Sequence, residues 1–594
     1  MSFCKSLLFA SPRLFCRSLN QTRTLCYFNS SPHFKPAVSS SGFSFAKRSA
    51  VYNIRRKMGG NATKEEMLEV FACKVSDMKD GEMREITVGD GKALLVRDKG
   101  EYSAIGPKCT HYGAPLVKGA LRNGHVRCPW HGACFNVKTG DIEDFPGLDC
   151  VPKHEVLIQD GDKVVIRAAK SALASHKRYK PMVQTQNDDG PHVLIIGSGP
   201  AAITCAETLR QKSFQGTVTI ATMETHLPYD RTKLSKAMDI KPESIYLRPQ
   251  EFFDTVNIRV LTGKRAKNIN SLDQTVTFED GDNMPFDKLL IATGGRPRTL
   301  PIPGWDLKNV FVLRTPDDAN AIAAAAKDKN VVICGASFIG MEVASSLVSK
   351  AKSVSVCEFF SVPFERVLGK EVGLYLQRLH ESKGVTFYMN ASMVELKSDG
   401  SEVQRAILKD GSVLQADLVI AGVGVIPSTE FLGDSGISLT SHGFVNVDRY
   451  MRCMKKDSDG KDVFENIYAA GDIAMYPQKL RNWQPSNVQH WQMAHKHGRT
   501  AGTNMVVDKS DLQAVHSVPF FWTQQYGKSL RYTGYGVGYD DIVITGEVSE
   551  GKFCAYYTAG DDVVAVATMM SDPVAALMAQ KMLDGEKISK SEIK

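Results

Sequence analysis

The sequence predicts a multidomain protein: an all-β domain, then two doubly wound α/β domains, then a small α+β domain. Three observations carry that expectation. Between Leu68 and Arg167 short β-type runs such as REITV, GKALLVRD, EYSAIG and DKVVIRA alternate with Gly/Asp turns, the texture of a compact all-β unit. At HVLIIGSGPAAITCAETLRQ a buried strand, a glycine turn and an amphipathic helix follow one another, and the same order recurs about 138 residues later at NVVICGASFIGMEVASSLVSK. After Met505, strands of the type SVPFFWTQQYGKSLRYTGY give way to a final helix in DDVVAVATMMSDPVAALMAQKML. At 594 residues the chain is too long for one core.

The expected boundaries are a leader over 1–57, the all-β domain over 68–168 and a polar linker over 169–191. One α/β domain follows over 192–312 together with 430–507, the other over 313–429, and the α+β domain closes the chain over 508–594. The leader holds ten Lys/Arg and no Asp or Glu, which leaves 63 basic against 65 acidic residues in the remainder. The positive net charge therefore belongs to the leader, and the body gives no electrostatic case for nucleic acid. Rich in Ser and Arg and ending in NIRRK, the leader fits a mitochondrial transit peptide better than a secretory signal; a plain basic tail is the bland alternative. If translation began at Met58, MGGNAT would instead fit myristoylation and a cytoplasmic or membrane-associated protein. No apolar run is long enough for a transmembrane segment. The thirteen cysteines are mostly scattered, as in a reducing compartment, save for a group around Cys109, Cys128 and Cys134.

In that group the pattern is C-x-H, sixteen residues, then C-x-x-H: Cys109 and His111, then Cys128 and His131. Zinc sites open on paired cysteines, so C-x-H is a poor start for zinc. Two thiolates for one iron and two neutral imidazoles for the other are what a mixed-ligand [2Fe–2S] cluster needs. Gly113, Pro115, Pro129 and Gly132 stiffen the two loops. The strings CTHYGAPL and CPWHGACF closely resemble the Rieske family. High-potential members carry a clamping disulfide and a hydroxyl donor at positions that here are Ala114, Trp130 and Ala133. That comparison implies a cluster at the low end of the Rieske range. Cys134 is read as a buried bystander.

GSGPAA places Gly197 at a tight turn, Gly199 where a pyrophosphate approaches the backbone, and Ala202 at the third glycine position. Glu224, at the end of TVTIATME, is placed for ribose hydroxyls. The second fingerprint, GASFIG, keeps Gly335 and Gly340 but has Ser337 in the middle, where a side chain crowds the pyrophosphate or its hydroxyl donates to a phosphate. A degenerate fold that binds no nucleotide stays open on that account. Glu358 then suits the free 2′-hydroxyl of NADH, and Phe359 and Phe360 offer no cation to the 2′-phosphate of NADPH.

Together with IATGG (Thr293, Gly294) and YAAGD (Gly471, Asp472), these motifs resemble the pyridine-nucleotide-dependent FAD flavoprotein reductases. The resemblance implies Asp472 on the ribityl chain and a helix from about Val488 aimed at the flavin pyrimidine edge. In LPYDRTKLSK it places Arg231 near the pyrophosphate and Lys236 near the flavin ring, paired with Glu342 as the catalytic neighbourhood; in isolation the segment reads equally as an exposed basic loop. No C-x4-C dithiol and no 2-His-1-carboxylate set is present, against a disulfide reductase and a complete oxygenase. The order of domains and the strings GDIEDFPGLD, SFIGMEVAS, HWQMAH and PFFW resemble the Rieske-bearing branch of the apoptosis-inducing factor family. That likeness implies mitochondrial location, a link to cell death, and Trp522 near the flavin, with a core aromatic as the alternative. The expected activity is an NADH-dependent (or NADPH-dependent) FAD oxidoreductase feeding the cluster across a flexible linker, toward an unnamed terminal acceptor. A cell-death effector with structural cofactors is the rival reading, and a homodimer stays open.

Overall fold

The computed structural model describes residues 65–593, apart from 457, 459 and 461. The leader and the MGGNAT motif lie outside the described residues. Among these residues no helix is long and apolar enough to cross a membrane.

The front domain is β throughout. Six antiparallel strands run in the order Met67–Lys74, Lys163–Ala169, Lys153–Gln159, Glu101–Ile105, Gly91–Asp98, Met83–Val88. A second sheet of four short strands, from Ala120–Arg122 to Ile142–Asp144, carries residues 128–133 as the tip of one of its hairpins. Alternation puts Leu94, Val96 and Ile105 against Val126 and Phe135 between the two sheets, so the tip stands on a packed base.

Both glycine turns introduce parallel sheets. The first sheet is drawn from two stretches of chain: Ile258–Leu261, Thr217–Ala221, His192–Ile196, Lys288–Ile291 and Val463–Ala469 run parallel, and Arg452–Met454 closes the edge antiparallel. Its central strands are apolar on both faces, as helix-covered parallel strands must be. The second sheet has five parallel strands, Val310–Val312, Leu418–Ala421, Asn330–Cys334, Ser353–Cys357 and Val385–Tyr388. The last domain is a five-stranded antiparallel sheet with the helix Val574–Leu583 against it.

The segment expected as a flexible linker is tied down. Lys170–Ala174 forms a short helix, Arg178 exchanges both backbone hydrogen bonds with Cys150, and Val183 and Asn187 donate to Arg210 and Gln215. The reason is charge. Lys180 reaches Asp141 at 2.8 Å, Lys177 reaches Asp149 at 3.3 Å, and Arg178 also pairs with Asp141. The acidic string 141–149 thus collects the linker cations.

The same string fixes the β domain to the reductase part. Asp144 accepts from Arg127 (3.2 Å), Gln492 (2.9 Å) and Ser517 (2.8 Å), all buried. Asp149 accepts from Arg248 at 2.7 Å, whose other side holds Glu207 at 2.8 Å. Arg499 donates to the Ile142 carbonyl, and Phe145 stacks on His495 at 5.1 Å. Replacing Asp144 by Ala leaves the fully buried Arg127 guanidinium without its carboxylate. The expected loss is about 3–5 kcal/mol, read as a fall in the denaturant midpoint, whereas Asp239→Asn, on the exposed surface at a left-handed position that Asn tolerates, leaves it unchanged.

Candidate functional site

The two cluster loops are built alike. Cys109 N–H donates to the Ala114 carbonyl and Gly113 N–H to that of Cys109; Cys128 and Gly132 repeat the pattern with Ala133 and Cys128. Gly113 and Gly132 take φ of +76° and +78°, a turn that L side chains resist. The loops therefore present Cys and His from equivalent places. The Nδ1 atoms of His111 and His131 stand 3.1 Å apart with the rings edge to face, and both thiols are buried. The neighbouring Cys128 thiol, with burial added, holds the Cys109 thiol well above its ordinary value. Burial pushes His111 down to about 4 and His131 well below its usual value, which keeps both imidazoles neutral, as metal ligation requires. Among the described residues no three donors converge on a single ion. Two facing pairs are the donor set of a binuclear cluster, so these residues fit the [2Fe–2S] group. Cys134 is buried, its thiol raised to about 11 by burial, 3.7 Å from Gln580 and apart from the pairs.

The first nucleotide turn fits a dinucleotide. Gly197 has φ of +109°, and a Cβ there would meet the Ala292 carbonyl at 2.3 Å. Gly199 opens on free space at the N-terminus of the helix Pro200–Gln211, and Ala202 is buried in that helix. Glu224 holds Arg231 at 2.8 Å through one oxygen, while its other oxygen is buried with no partner, placed for a ribose hydroxyl. Arg231 also donates to the Arg314 carbonyl at 2.6 Å. The Arg314 guanidinium comes close to Gly294 and has no side-chain partner among the described residues; burial pushes it down to about 10. Asp472 lies near both cations, its carboxyl raised by burial against their pull. Two guanidiniums at one cleft suit a pyrophosphate. Gly471, at φ +78°, donates to His497, and the Thr293 hydroxyl is spent on the Ser428 carbonyl at 2.7 Å. These features fit FAD.

Lys236 and Glu342 meet at 2.8 Å, and Glu342 also accepts from Thr523 at 2.8 Å and from Ser235. The helix expected from Val488 starts at Trp491, because Asn487 bonds the Asp472 and Ala474 carbonyls and holds 487–490 extended. At the second nucleotide turn Gly335 and Gly340 pack on Gly422 and on each other as the fingerprint requires. Ser337 turns its hydroxyl to the Gly422 carbonyl at 3.0 Å instead of leaving it for a phosphate. Glu358 is anchored by the backbone N–H groups of Ala336 (2.6 Å) and Phe360 (3.1 Å), which sets the carboxylate beside the turn.

Trp522 packs on the cluster histidines. Its ring centroid is 4.2 Å from that of His131 and 5.6 Å from that of His111. Its strand neighbour Thr523 holds Glu342, so two consecutive strand residues, Trp522 and Thr523, lie between the cluster pair and the Lys236 pair. Sequence reasoning missed Arg314, Thr523, Tyr112 and Asp230. Only Arg314 had a local signal, an arginine just before the capping box Thr315–Asp318.

This fold and these sites define a two-nucleotide flavoprotein reductase fused to an iron–sulfur domain. The comparisons agree. Residues 191–498 match pyridine nucleotide-disulphide oxidoreductases, 69–155 match Rieske [2Fe-2S] domains and 520–593 match the reductase C-terminal family. The chain is 45% identical over 534 residues to "Apoptosis-inducing factor 3" of Mus musculus, covering 89% of this chain and 86% of that protein. It is 32% identical over 400 residues to "Rhodocoxin reductase" of Rhodococcus erythropolis, covering 66% and 90%. Its fold is similar to the reductase in the crystal structure of the covalent putidaredoxin reductase–putidaredoxin complex, with TM-score 0.62, 28% identity, and 67% and 94% of the two chains covered. The chain belongs to the pyridine nucleotide-disulphide oxidoreductase family, as a Rieske-bearing, ferredoxin-reductase-like FAD oxidoreductase that uses NAD(P)H. Replacing Gly197 by Ala forces a Cβ into the Ala292 carbonyl. The variant is expected to purify without FAD absorbance while the Rieske signal persists.

Proposed function

We propose that the protein oxidises NADH and passes the electrons, through its flavin, to its own Rieske cluster. One observation carries the reading: Trp522 lies against both cluster histidines while Thr523 beside it fixes the Glu342–Lys236 pair. Bound FAD would supply the two-electron to one-electron conversion and the cluster a one-electron store. The chain's own residues position these groups. Arg231 and Arg314 would hold the pyrophosphate, Glu224 the ribose, Asp472 the ribityl chain, and Lys236, its charge balanced by buried Glu342, would sit by the flavin ring. The names of the relatives support the direction of flow, since rhodocoxin reductase and putidaredoxin reductase are named for separate redox partners. In this reading the Rieske domain is the built-in partner, and the tied-down linker supports transfer in the docked arrangement.

The anchored Glu358, with Phe359 and Phe360 beside it, supports NADH over NADPH. A higher kcat/KM with NADPH would contradict this. Ala114, Trp130 and Ala133 support a low-potential cluster. Identity to "Apoptosis-inducing factor 3" favours a second reading, a cell-death effector whose cofactors are structural. Anaerobic NADH separates the two, because a structural flavin is not bleached. The basic leader supports a mitochondrial address.

Cys109→Ser should remove the cluster yet keep NADH oxidation with ferricyanide within about twofold. Reduction of cytochrome c through the cluster should fall by about tenfold or more. Joint loss of both activities in a folded, FAD-loaded variant contradicts the relay.

A further inference from the structure

The cluster histidines are not in equivalent surroundings. His131 faces Trp522 and, further off, the cations Arg531 and Lys236. His111 has Tyr112 stacked on it, ring centroids 3.8 Å apart and 16° from parallel. The Tyr112 hydroxyl donates at 2.5 Å to Asp230, in the segment LPYDRTKLSK of the reductase part.

Asp230 is 6% exposed. It also accepts from the Thr232 amide (3.1 Å) and hydroxyl (2.6 Å), and among the described residues no cation lies within ion-pair distance of it. A cation stands nearby only at longer range, Lys233 at 5.5 Å from the Tyr112 ring. Every other buried carboxylate at this interface is matched: Asp144 by Arg127, Asp149 and Glu207 by Arg248. The carboxylate caps the turn Arg231–Lys233, a role that a neutral oxygen fills as well, and a buried charge without an ion partner is costly. Its position one aromatic ring away from a cluster ligand gives it a use. Charge and hydrogen bonds around an iron–sulfur cluster set its potential, and the effect is strong where water is excluded.

We propose that Asp230, acting through Tyr112, is a positioning residue that lowers the potential of the Rieske cluster, and that the reductase part thereby tunes the cluster docked on it. The sign follows from charge. A fixed anion disfavours the added electron, so removing it makes the cluster easier to reduce. The inference rests on the cluster occupying the Cys109/His111/Cys128/His131 loops. It does not depend on NADH being the electron source.

The test is a mediated redox titration of the full-length protein, loaded with FAD and cluster, followed by low-temperature EPR. A chemical reductant makes the readout independent of the proposed relay. Asp230→Asn should keep a Rieske-type spectrum and raise the cluster midpoint, and by more than it raises the flavin midpoint. Asp230→Glu, which restores the charge, should return the cluster midpoint toward the parent value. Asp239→Asn, an exposed carboxylate of the same segment, should leave it in place. Should the Asn variant lose its flavin, Asp230→Ser removes the charge and keeps an oxygen for the Thr232 amide. An unmoved midpoint in both neutral variants with the Rieske signal intact overturns the proposal. So does an equal shift from Asp239→Asn, or a parent protein with no Rieske signal.

Discussion

Asp144 joins three parts of the chain at one buried carboxylate. Arg127 reaches it from the β domain, Gln492 from the helix Trp491–Asn504, and Ser517 from the approach to the C-terminal sheet. None of these groups can return to water once the interface forms, so the domains keep one relative placement or leave polar groups stranded. A buried ion pair of this kind adds little net stability over an apolar contact, but breaking it is expensive. Its worth lies in selecting one geometry. That geometry seats Gly132 on the Phe520 ring and Trp522 on His131, so the cluster loops meet the strand Phe520–Gln525.

Around that point the charges are complementary. The reductase face offers Arg248 and Arg499, and the linker adds Lys177, Arg178 and Lys180; the β domain answers with Asp141, Asp144 and Asp149 and the Ile142 carbonyl. Of these pairs Arg248–Asp149 is buried, so salt should screen it less than the partly exposed linker pairs. A reductase that served a separate partner would need a contact that releases. Here the linker is bonded to both sides.

Local chemistry was legible in the sequence, and long-range chemistry was not. Cys109, His111, Cys128 and His131 could be read because each loop carries its own ligands and its own Gly/Pro stiffeners. The glycine turns could be read because a missing Cβ has a local cause, seen at Gly197 and Gly335. Tyr112–Asp230 joins residues far apart in sequence, and nothing near either one announces the other. The linker looked featureless because its order comes from Asp141 and Asp149, which belong to another domain. Ser337 was misleading in the same way: its hydroxyl finds a carbonyl on a strand end not adjacent in sequence. The late start of the helix at Trp491 depends on Asn487 bonding back to the YAAGD turn.

In the proposed relay, fixed docking would make electron transfer an event within one molecule. The most direct measurement mixes the anaerobic holoprotein with NADH and follows the Rieske EPR signal by rapid freezing over a wide range of protein concentration. A rate of cluster reduction independent of protein concentration is the predicted result. A rate that rises in proportion to concentration would mean that electrons pass between molecules, and would contradict a docked relay.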